Sequence, residues 1–231
     1  LQELARNTTV TSLTIHYISR LSREDMQQVT AVLRQNTTLQ SLALHSSARG
    51  SAGLADIAPA LYRNSSIKSL DLSSNGLDDI ESANILCELL RRNKTITSVC
   101  LARNTFGGNA AAARSILEGL RCNTALQQLD LTDCGLGDQG LSVLANALAV
   151  RSASILELNL QMNEITTVGV RALVEDNVET VKTLTKLCLL YNPIGNEGAT
   201  ILADALGRNA MPSLKRLYLC VCQIDDDGIV A

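Results

Sequence analysis

Two histidines, His16 and His45, carry the only imidazole groups of this 231-residue chain. Imidazole binds metal ions and changes its charge near neutral pH. The two residues hold the same place in a repeated sequence pattern, so we expect their rings to be neighbours on one surface. A metal site would require further ligands, and the next copy of the pattern has Ser73 at this place. Two surface histidines that share a register are therefore favoured over a metal centre.

Carboxylates offer acid–base chemistry at two places. Asp71 and Asp130 occupy equivalent positions two copies apart, with Cys100 between them, which predicts a separation of roughly 10 Å. The two groups would be too far apart to share a proton, and no nucleophile or base completes a catalytic triad. The aspartates at 225–227 lack the spacing of a calcium-binding loop and are interpreted as the acidic start of a helix.

The seven cysteines are scattered singly, apart from one close pair. Cys134 and Cys222 replace a recurrent asparagine, and Cys87 falls at an inward position of a helix. This usage is typical of buried thiols in a reducing compartment, so we expect a cytoplasmic or nuclear protein. Cys100 and Cys188 are predicted at exposed strand positions, where reactivity would require a lowered pKa.

Recognised catalytic motifs do not occur: the chain has no phosphate loop, dinucleotide fingerprint, zinc-protease helix or nucleophile elbow. The net charge of −3, with mixed signs, argues against a nucleic-acid partner or a polybasic membrane contact. No stretch approaches the roughly 18 apolar residues that a membrane span requires. We predict that the chain is not an enzyme and holds no cofactor or metal.

One sequence pattern, which occurs eight times, must position these side chains. Its form is LxxLxLxxN, and successive copies start 28 to 30 residues apart. A fixed period of this length is the signature of a solenoid, in which each copy packs only on its neighbours. The copies start at Val10, Leu39, Ile67, Ile96, Leu126, Ile155, Leu184 and Leu214.

Each copy is predicted to form a strand, a turn, a helix and a second turn. In the fifth copy Leu129 and Leu131 alternate with polar residues and should point inward. Apolar stripes at helical spacing follow at Leu141, Leu144, Ala145 and Leu148, at Ala83, Leu86, Cys87 and Leu90, and at Ala199, Leu202, Ala203 and Leu206. Asparagines expected to end the helices in the left-handed conformation are Asn7, Asn36, Asn64, Asn93 and Asn123.

Stacking of these units predicts the overall architecture. Parallel strands stack at roughly 4.8 Å whereas helices need about twice that spacing, so the stack must bend. We predict an α/β right-handed horseshoe with parallel strands on the concave face and helices on the convex face. The strands leave the concave face uncovered, which makes it the expected binding surface. Residues 1–231 would form a single array of seven full repeats with partial repeats at both ends, cut from a longer chain.

The period, with a true helix in each copy, resembles the ribonuclease-inhibitor-like subfamily of leucine-rich repeats. The segments RNTTVTSLTI (6–15) and NPIGNEGATILADAL (192–206) resemble repeats of NOD-like receptor sensor domains, tropomodulin and the Ran GTPase-activating protein. The resemblance implies an intracellular array that binds proteins.

Two features depart from the regular pattern. Ile18 and Ser47 replace the recurrent asparagine of the first two copies. Asn177 stands where a helix leucine is expected, and Val178 or Val181 is predicted to take its place in the core.

The uncovered face changes in character along the array. The first three copies present small polar groups, whereas the last three present apolar and aromatic side chains beside basic ones. Exposed tyrosine with arginine and methionine is typical of interface hot spots, although further sequence could instead cover this end. The predicted partner-binding residues are Met162, Lys186, Leu190, Tyr191, Arg216, Tyr218 and Val221, with Tyr17 as another concave tyrosine.

The function predicted from these patterns is a non-catalytic interaction module that binds a protein partner through its concave face. Neither nucleic acid nor a membrane span is expected. Two other functions stay open on sequence alone: a GTPase-activating array that works through loop residues at one edge, and a sensor or autoinhibitory domain of a larger NOD-like ATPase.

Overall fold

The computed structural model describes residues 1–16, 21–46, 50–149, 155–226 and 228. Eight parallel strands form one open sheet in which β1 to β8 follow chain order. Equivalent positions of successive copies pair directly, as in Leu42 with Leu70 and Leu70 with Val99. The strands are Ser12–His16, Ser41–His45, Ser69–Asp71, Ser98–Cys100, Gln128–Asp130, Glu157–Asn159, Lys186–Cys188 and Arg216–Tyr218.

Helical segments connect the strands on the other side of the sheet and complete the predicted horseshoe. The α-helices α1 to α8 are Arg23–Gln35, Ser51–Leu61, Ile80–Arg92, Ala110–Cys122, Gly137–Ala149, Thr167–Arg171, Val178–Val181 and Gly195–Gly207. Short 3₁₀ turns span Gln2–Arg6 and Phe106–Gly108, and a π-helical stretch spans Ala172–Asp176. Among the described residues, no helix combines the length and the apolar character needed to cross a membrane.

The core is one continuous layer of leucines between the sheet and the helices. Leu129, Leu131, Leu144 and Leu148 are all buried, which confirms the predicted register. The stripe prediction was wrong for Leu206, whose side chain is 45% exposed. Among the described elements, no further helix packs on the side of α8 that faces away from α6.

The helix-exit row consists of Asn7, Asn36, Asn64, Asn93 and Asn123, and the prediction that these residues adopt the left-handed conformation was wrong. Asn36 and Asn93 have extended backbones, with φ near −77° and −78°. The Oδ1 atom of Asn36 accepts from the amides of Thr38 and Leu39, and its Nδ2 donates to carbonyl oxygens of the preceding copy. The side chain forms the turn, so the backbone needs no positive φ.

A second row, the strand-exit row, lies in the turns after the strands at Asn75, Asn104, Cys134, Asn163, Asn192 and Cys222. Asn163 is fully buried, and its Nδ2 donates to the carbonyl oxygens of Leu131 (2.8 Å) and Leu160 (3.0 Å). Its Oδ1 accepts from the amides of Cys134 (3.1 Å) and Leu136 (3.2 Å) in the preceding copy. The side chain therefore joins two repeats and satisfies buried backbone groups.

Cysteine replaces asparagine in this row at a cost in hydrogen bonds. The Sγ atom of Cys134 donates to the carbonyl oxygen of Leu101 (3.3 Å), in place of the amide group of an asparagine. The amide of Leu136 donates to an asparagine oxygen of the next copy, that of Asn163. Phe106 is the equivalent residue before Cys134, and sulfur is a weak acceptor. The amide of Phe106 therefore donates to the carbonyl oxygen of Asn104 (2.8 Å) in its own copy. Cys222 shows the same donation toward the preceding copy.

The residue before each strand-exit position, and Ser46 at the same place in the second copy, has a left-handed backbone with φ between 50° and 57°. Except in the last copy, its amide donates to a carbonyl oxygen of the next copy, as from Met162 to Leu190 (3.0 Å) and from Tyr191 to Cys220 (3.1 Å). This conformation continues the sheet ladder around the turn. The left-handed row consists of Ser46, Ser74, Arg103, Asp133, Met162, Tyr191 and Val221.

The irregular sixth copy is accommodated as predicted. Asn177 is buried and donates from Nδ2 to the carbonyl oxygen of Ala172 (2.9 Å), which closes the π-helical stretch. Val181 is fully buried and takes the place of the missing leucine. The predicted features at Tyr17, Ile18 and Ser47 lie outside the described residues.

Candidate functional site

The predicted partner-binding residues lie on two adjacent parts of the horseshoe. Lys186, Arg216 and Tyr218 stand on strands β7 and β8, where Lys186 pairs with Arg216 in the sheet register. The other apolar residues belong to the turns that follow the strands and not to the strands themselves. Three of these, Met162, Tyr191 and Val221, are successive members of the left-handed row, and Leu190 precedes Tyr191.

Most of these side chains are open to solvent. The exposed fractions are 43% for Met162, 53% for Tyr191, 38% for Tyr218 and 65% for Val221, whereas Leu190 is half-buried. Ten large apolar side chains of the described residues are exposed, and these four belong to three successive repeats. An apolar group of this kind is unusual on a protein surface unless something binds there.

Glu157 organises the charges of this group and was missed by the sequence reasoning. Its carboxylate oxygens lie 3.5 Å from Nη2 of Arg216 and 3.7 Å from Nζ of Lys186. The Lys186 ammonium also lies 5.9 Å from the centre of the Tyr218 ring. The three charged groups carry one net positive charge next to the exposed tyrosine. The sheet register places Glu157 opposite Lys186, so the repeat alignment contained the signal.

The middle of the concave face forms a shallow acidic pocket of about 280 Å³. Cys100 lies between Asp71 and Asp130 in the sheet register, as predicted. The Oδ2 atom of Asp130 accepts from Nδ2 of Asn159 (3.1 Å), and its Oδ1 accepts from the hydroxyl of Thr132 (2.7 Å). Asp130 is thus held in place by polar groups of its own turn and of the next strand.

The histidine pair has the predicted position and an arrangement that the sequence did not reveal. The rings of His16 and His45 stack with their centres 4.4 Å apart and their planes 5° from parallel. Nδ1 of His45 lies 2.6 Å from the Ser73 hydroxyl, and its Nε2 lies 3.5 Å from a carboxylate oxygen of Asp71. Within the described ranges, no three histidine, cysteine or acidic side chains gather closely enough to hold a metal ion.

Ser73, His45 and Asp71 are linked in series and have the residue types of a hydrolytic triad. Acyl transfer also requires backbone amides that stabilise an oxyanion beside the nucleophile. The amide of Ser73 donates to Asp71 (2.9 Å), and the amide of Ser74 donates to the carbonyl oxygen of Ala102 (2.8 Å). Both amides next to the hydroxyl are therefore occupied, and the cluster is better suited to holding His45 in place.

The prediction that Cys188 is exposed was wrong, because its side chain is buried at a position that pairs with Asn159 on one side and Tyr218 on the other. Burial raises the pKa of the Cys188 thiol, and it raises the pKa values of Cys100 and Cys134 to about 12. A raised pKa keeps the thiol neutral, which is the opposite of what a reactive cysteine requires. The structure thus argues against nucleophilic chemistry at these positions.

We expect thiol labelling of the native protein to follow burial. At pH 8 a thiol of pKa about 12 is ionised to about one part in ten thousand, so Cys100 and Cys134 should resist iodoacetamide. The exposed Cys220 should be modified first. Peptide mapping by mass spectrometry measures each site, with guanidinium-unfolded protein as the control in which all seven thiols react. Modification of native Cys100 as fast as Cys220 would contradict this assignment.

The repeat geometry agrees with the comparison to known families. The sequence profile described as Leucine Rich repeat matches residues 63–80, 122–145 and 151–174. This chain has the leucine-rich-repeat fold and is similar to the ribonuclease-inhibitor-like type. The solved structure titled "Leiomodin-1 Actin-Binding Site 2 (ABS2)" has the same fold, with a TM-score of 0.52 and 15% identity, over 66% of this chain and 86% of that one.

Two curated relatives place the leucine-rich-repeat array among larger proteins. "NACHT, LRR and PYD domains-containing protein 5" of Homo sapiens is 29% identical over 210 residues, which are 91% of this chain and 17% of that protein. The ribonuclease inhibitor of Sus scrofa is 26% identical over 217 residues, which are 91% of this chain and 45% of the inhibitor. The chain therefore spans less than half the length of either relative.

Proposed function

We propose that this leucine-rich-repeat array is a non-catalytic protein-interaction module whose concave face binds a protein partner near strands β6 to β8. The observation that carries the proposal is the exposed group of Met162, Tyr191, Tyr218 and Val221 beside a charged cluster. Buried tyrosine and methionine next to arginine supply most of the binding energy in many protein interfaces.

Backbone conformation gives this proposal independent support. Left-handed positions favour glycine, asparagine and aspartate, and a bulky or β-branched residue there is an outlier. Met162, Tyr191 and Val221 all occupy such positions, with φ near 57°. Their types do not help the turn to form, so a role outside folding accounts for them better.

The relatives are consistent with binding as the activity. One of them is named for inhibiting ribonuclease, which is an action on another protein. A second candidate function is a sensor array within a larger NACHT-type ATPase, favoured over a GTPase-activating role by the 29% identity across 91% of the chain. The full-length gene sequence would decide this candidate by the presence or absence of an upstream nucleotide-binding domain. We also infer a cytoplasmic location, since the seven cysteines are free thiols.

The test begins with site-specific photocrosslinking. A photoreactive amino acid at position 191 should capture a partner from cell extract, whereas the same group at the exposed convex position 168 should not. The captured protein is then purified, and its Kd for the array is measured by calorimetry. A measurable Kd for the purified protein would distinguish a specific interface from chance crosslinking.

Replacing Tyr218 by alanine should weaken the purified complex about 30-fold, or about 2 kcal/mol, because a half-exposed tyrosine loses its contact area in the interface. Stability of the array should change little, since the side chain lies outside the core. Val168→Ala, at another exposed apolar residue, is the matched control and should leave Kd unchanged. Unchanged binding by Tyr218→Ala, or unfolding of that variant, would refute the concave-face assignment.

A further inference from the structure

A second concavity lies at the opposite ends of the strands, where helices α1 and α2 end and the chain turns back into the sheet. Its volume is about 870 Å³, and it is separate from the exposed group of the concave face. The polar residues that line it and could contact a ligand are Arg34, Thr37, Arg63, Ser65, Ser66 and Arg92.

The charge of this cavity differs from that of the whole molecule. Three guanidinium groups line it and no aspartate or glutamate does, in a chain whose net charge is −3. Arg92 is held over the Tyr62 ring, 5.3 Å from its centre, and pairs with Glu88. Arg34 and Arg63 are exposed and form no ion pair with any described residue. Two of the three positive groups are thus available to a ligand.

Helix capping does not account for these arginines. Basic residues often stabilise the carbonyl groups at a helix end. Here asparagines of the helix-exit row bind those carbonyl groups. Nδ2 of Asn64 donates to the carbonyl oxygen of Leu33 (2.9 Å), and Nδ2 of Asn93 donates to that of Leu61 (2.7 Å). Those carbonyl groups therefore have partners without Arg34 or Arg63.

We propose that this cavity binds a small organic molecule that carries two or more phosphate groups. Guanidinium groups bind phosphate oxygens through paired, charge-assisted hydrogen bonds. The hydroxyls of Thr37 and Ser65 add neutral donors at the rim. A volume of about 870 Å³ suits a small-molecule ligand and far exceeds one phosphate ion. Nucleotides and phosphorylated polyols share this chemistry, and the binding experiment distinguishes them.

Calorimetric titration of the full chain near 0.15 M salt tests the proposal, with ATP and inositol hexakisphosphate as separate probes and inorganic phosphate as the reference. At least one polyphosphate should bind at micromolar concentration, and inorganic phosphate much more weakly. The variant Arg34→Gln/Arg63→Gln should lose roughly 100-fold in affinity, about tenfold for each guanidinium removed. Arg23→Gln/Arg114→Gln makes the same charge change at exposed helix positions outside the cavity and should bind as the native chain does.

Three results would overturn the polyphosphate site. The first is the absence of saturable binding of either probe below millimolar concentration. The second is an equal loss of affinity in both double variants, which would indicate nonspecific attraction. The third is unchanged binding by Arg34→Gln/Arg63→Gln, and a lower unfolding temperature of that variant would then assign these arginines a structural role at the helix ends. Tyr218→Ala should retain polyphosphate binding, so this site and the concave-face function fail or succeed independently.

Discussion

The free energy of unfolding should fall by about 3–5 kcal/mol when Asn163 is replaced by alanine. The change leaves the amides of Cys134 and Leu136 and the carbonyl group of Leu131 short of a buried partner, whereas the carbonyl oxygen of Leu160 still accepts from Asn192. Each unsatisfied buried group costs about 1–3 kcal/mol, and partial relaxation keeps the total below the simple sum. Equilibrium unfolding in urea, monitored by circular dichroism, measures the difference.

Asn163→Cys is the matched control because the chain itself uses cysteine in this row at Cys134 and Cys222. A thiol can still donate to the carbonyl of the preceding copy, as Cys134 does, so we expect roughly half the loss caused by alanine. Equal effects of the two substitutions would show that the volume of the side chain matters and that its hydrogen bonds do not.

Leu160→Ala should destabilise the array by about 2–5 kcal/mol, since the side chain is fully buried between sheet and helices and its removal leaves a cavity. Leu219 holds the equivalent place two copies later but is only partly buried. Leu219→Ala should therefore cost clearly less in the same urea experiment. Similar losses at both positions would contradict the graded burial along the array.

The register of the array could be predicted from one sequence because the same leucine positions recur in each copy. Burial of Leu129 and Leu144, pairing of equivalent strand positions and the neighbouring places of His16 and His45 all follow from that period. The conformation of the helix-exit row could not be predicted in this way. An asparagine can end a helix through its backbone or its side chain, and only the contacts of Asn36 with the preceding copy distinguish the two.

The exposed group near the end of the array was predictable in residue type but not in geometry. Repeat alignment placed Tyr218 on the concave face, yet it gave no sign that Tyr191 and Val221 occupy left-handed turns. It also predicted an exposed Cys188, although the side chain is buried where it pairs with Asn159 and Tyr218 of the adjacent copies. Exposure on a curved face depends on residues one copy away, which a single repeat does not reveal.

The substitution of cysteine in the strand-exit row has a consequence for cooperativity. Asparagine oxygens join Asn75 to Asn104 in the adjacent copy, and join Cys134, Asn163 and Asn192 in series. Across the junction between these two blocks the amide of Phe106 bonds within its own copy instead. In a solenoid, neighbour-to-neighbour coupling sets how far unfolding spreads. The amide of Ile194 also bonds within its own copy, before Cys222. Weak seams of the array are therefore expected at both cysteines, between the fourth and fifth copies and between the seventh and eighth. Partial opening of the first seam would expose the buried ring of Phe106.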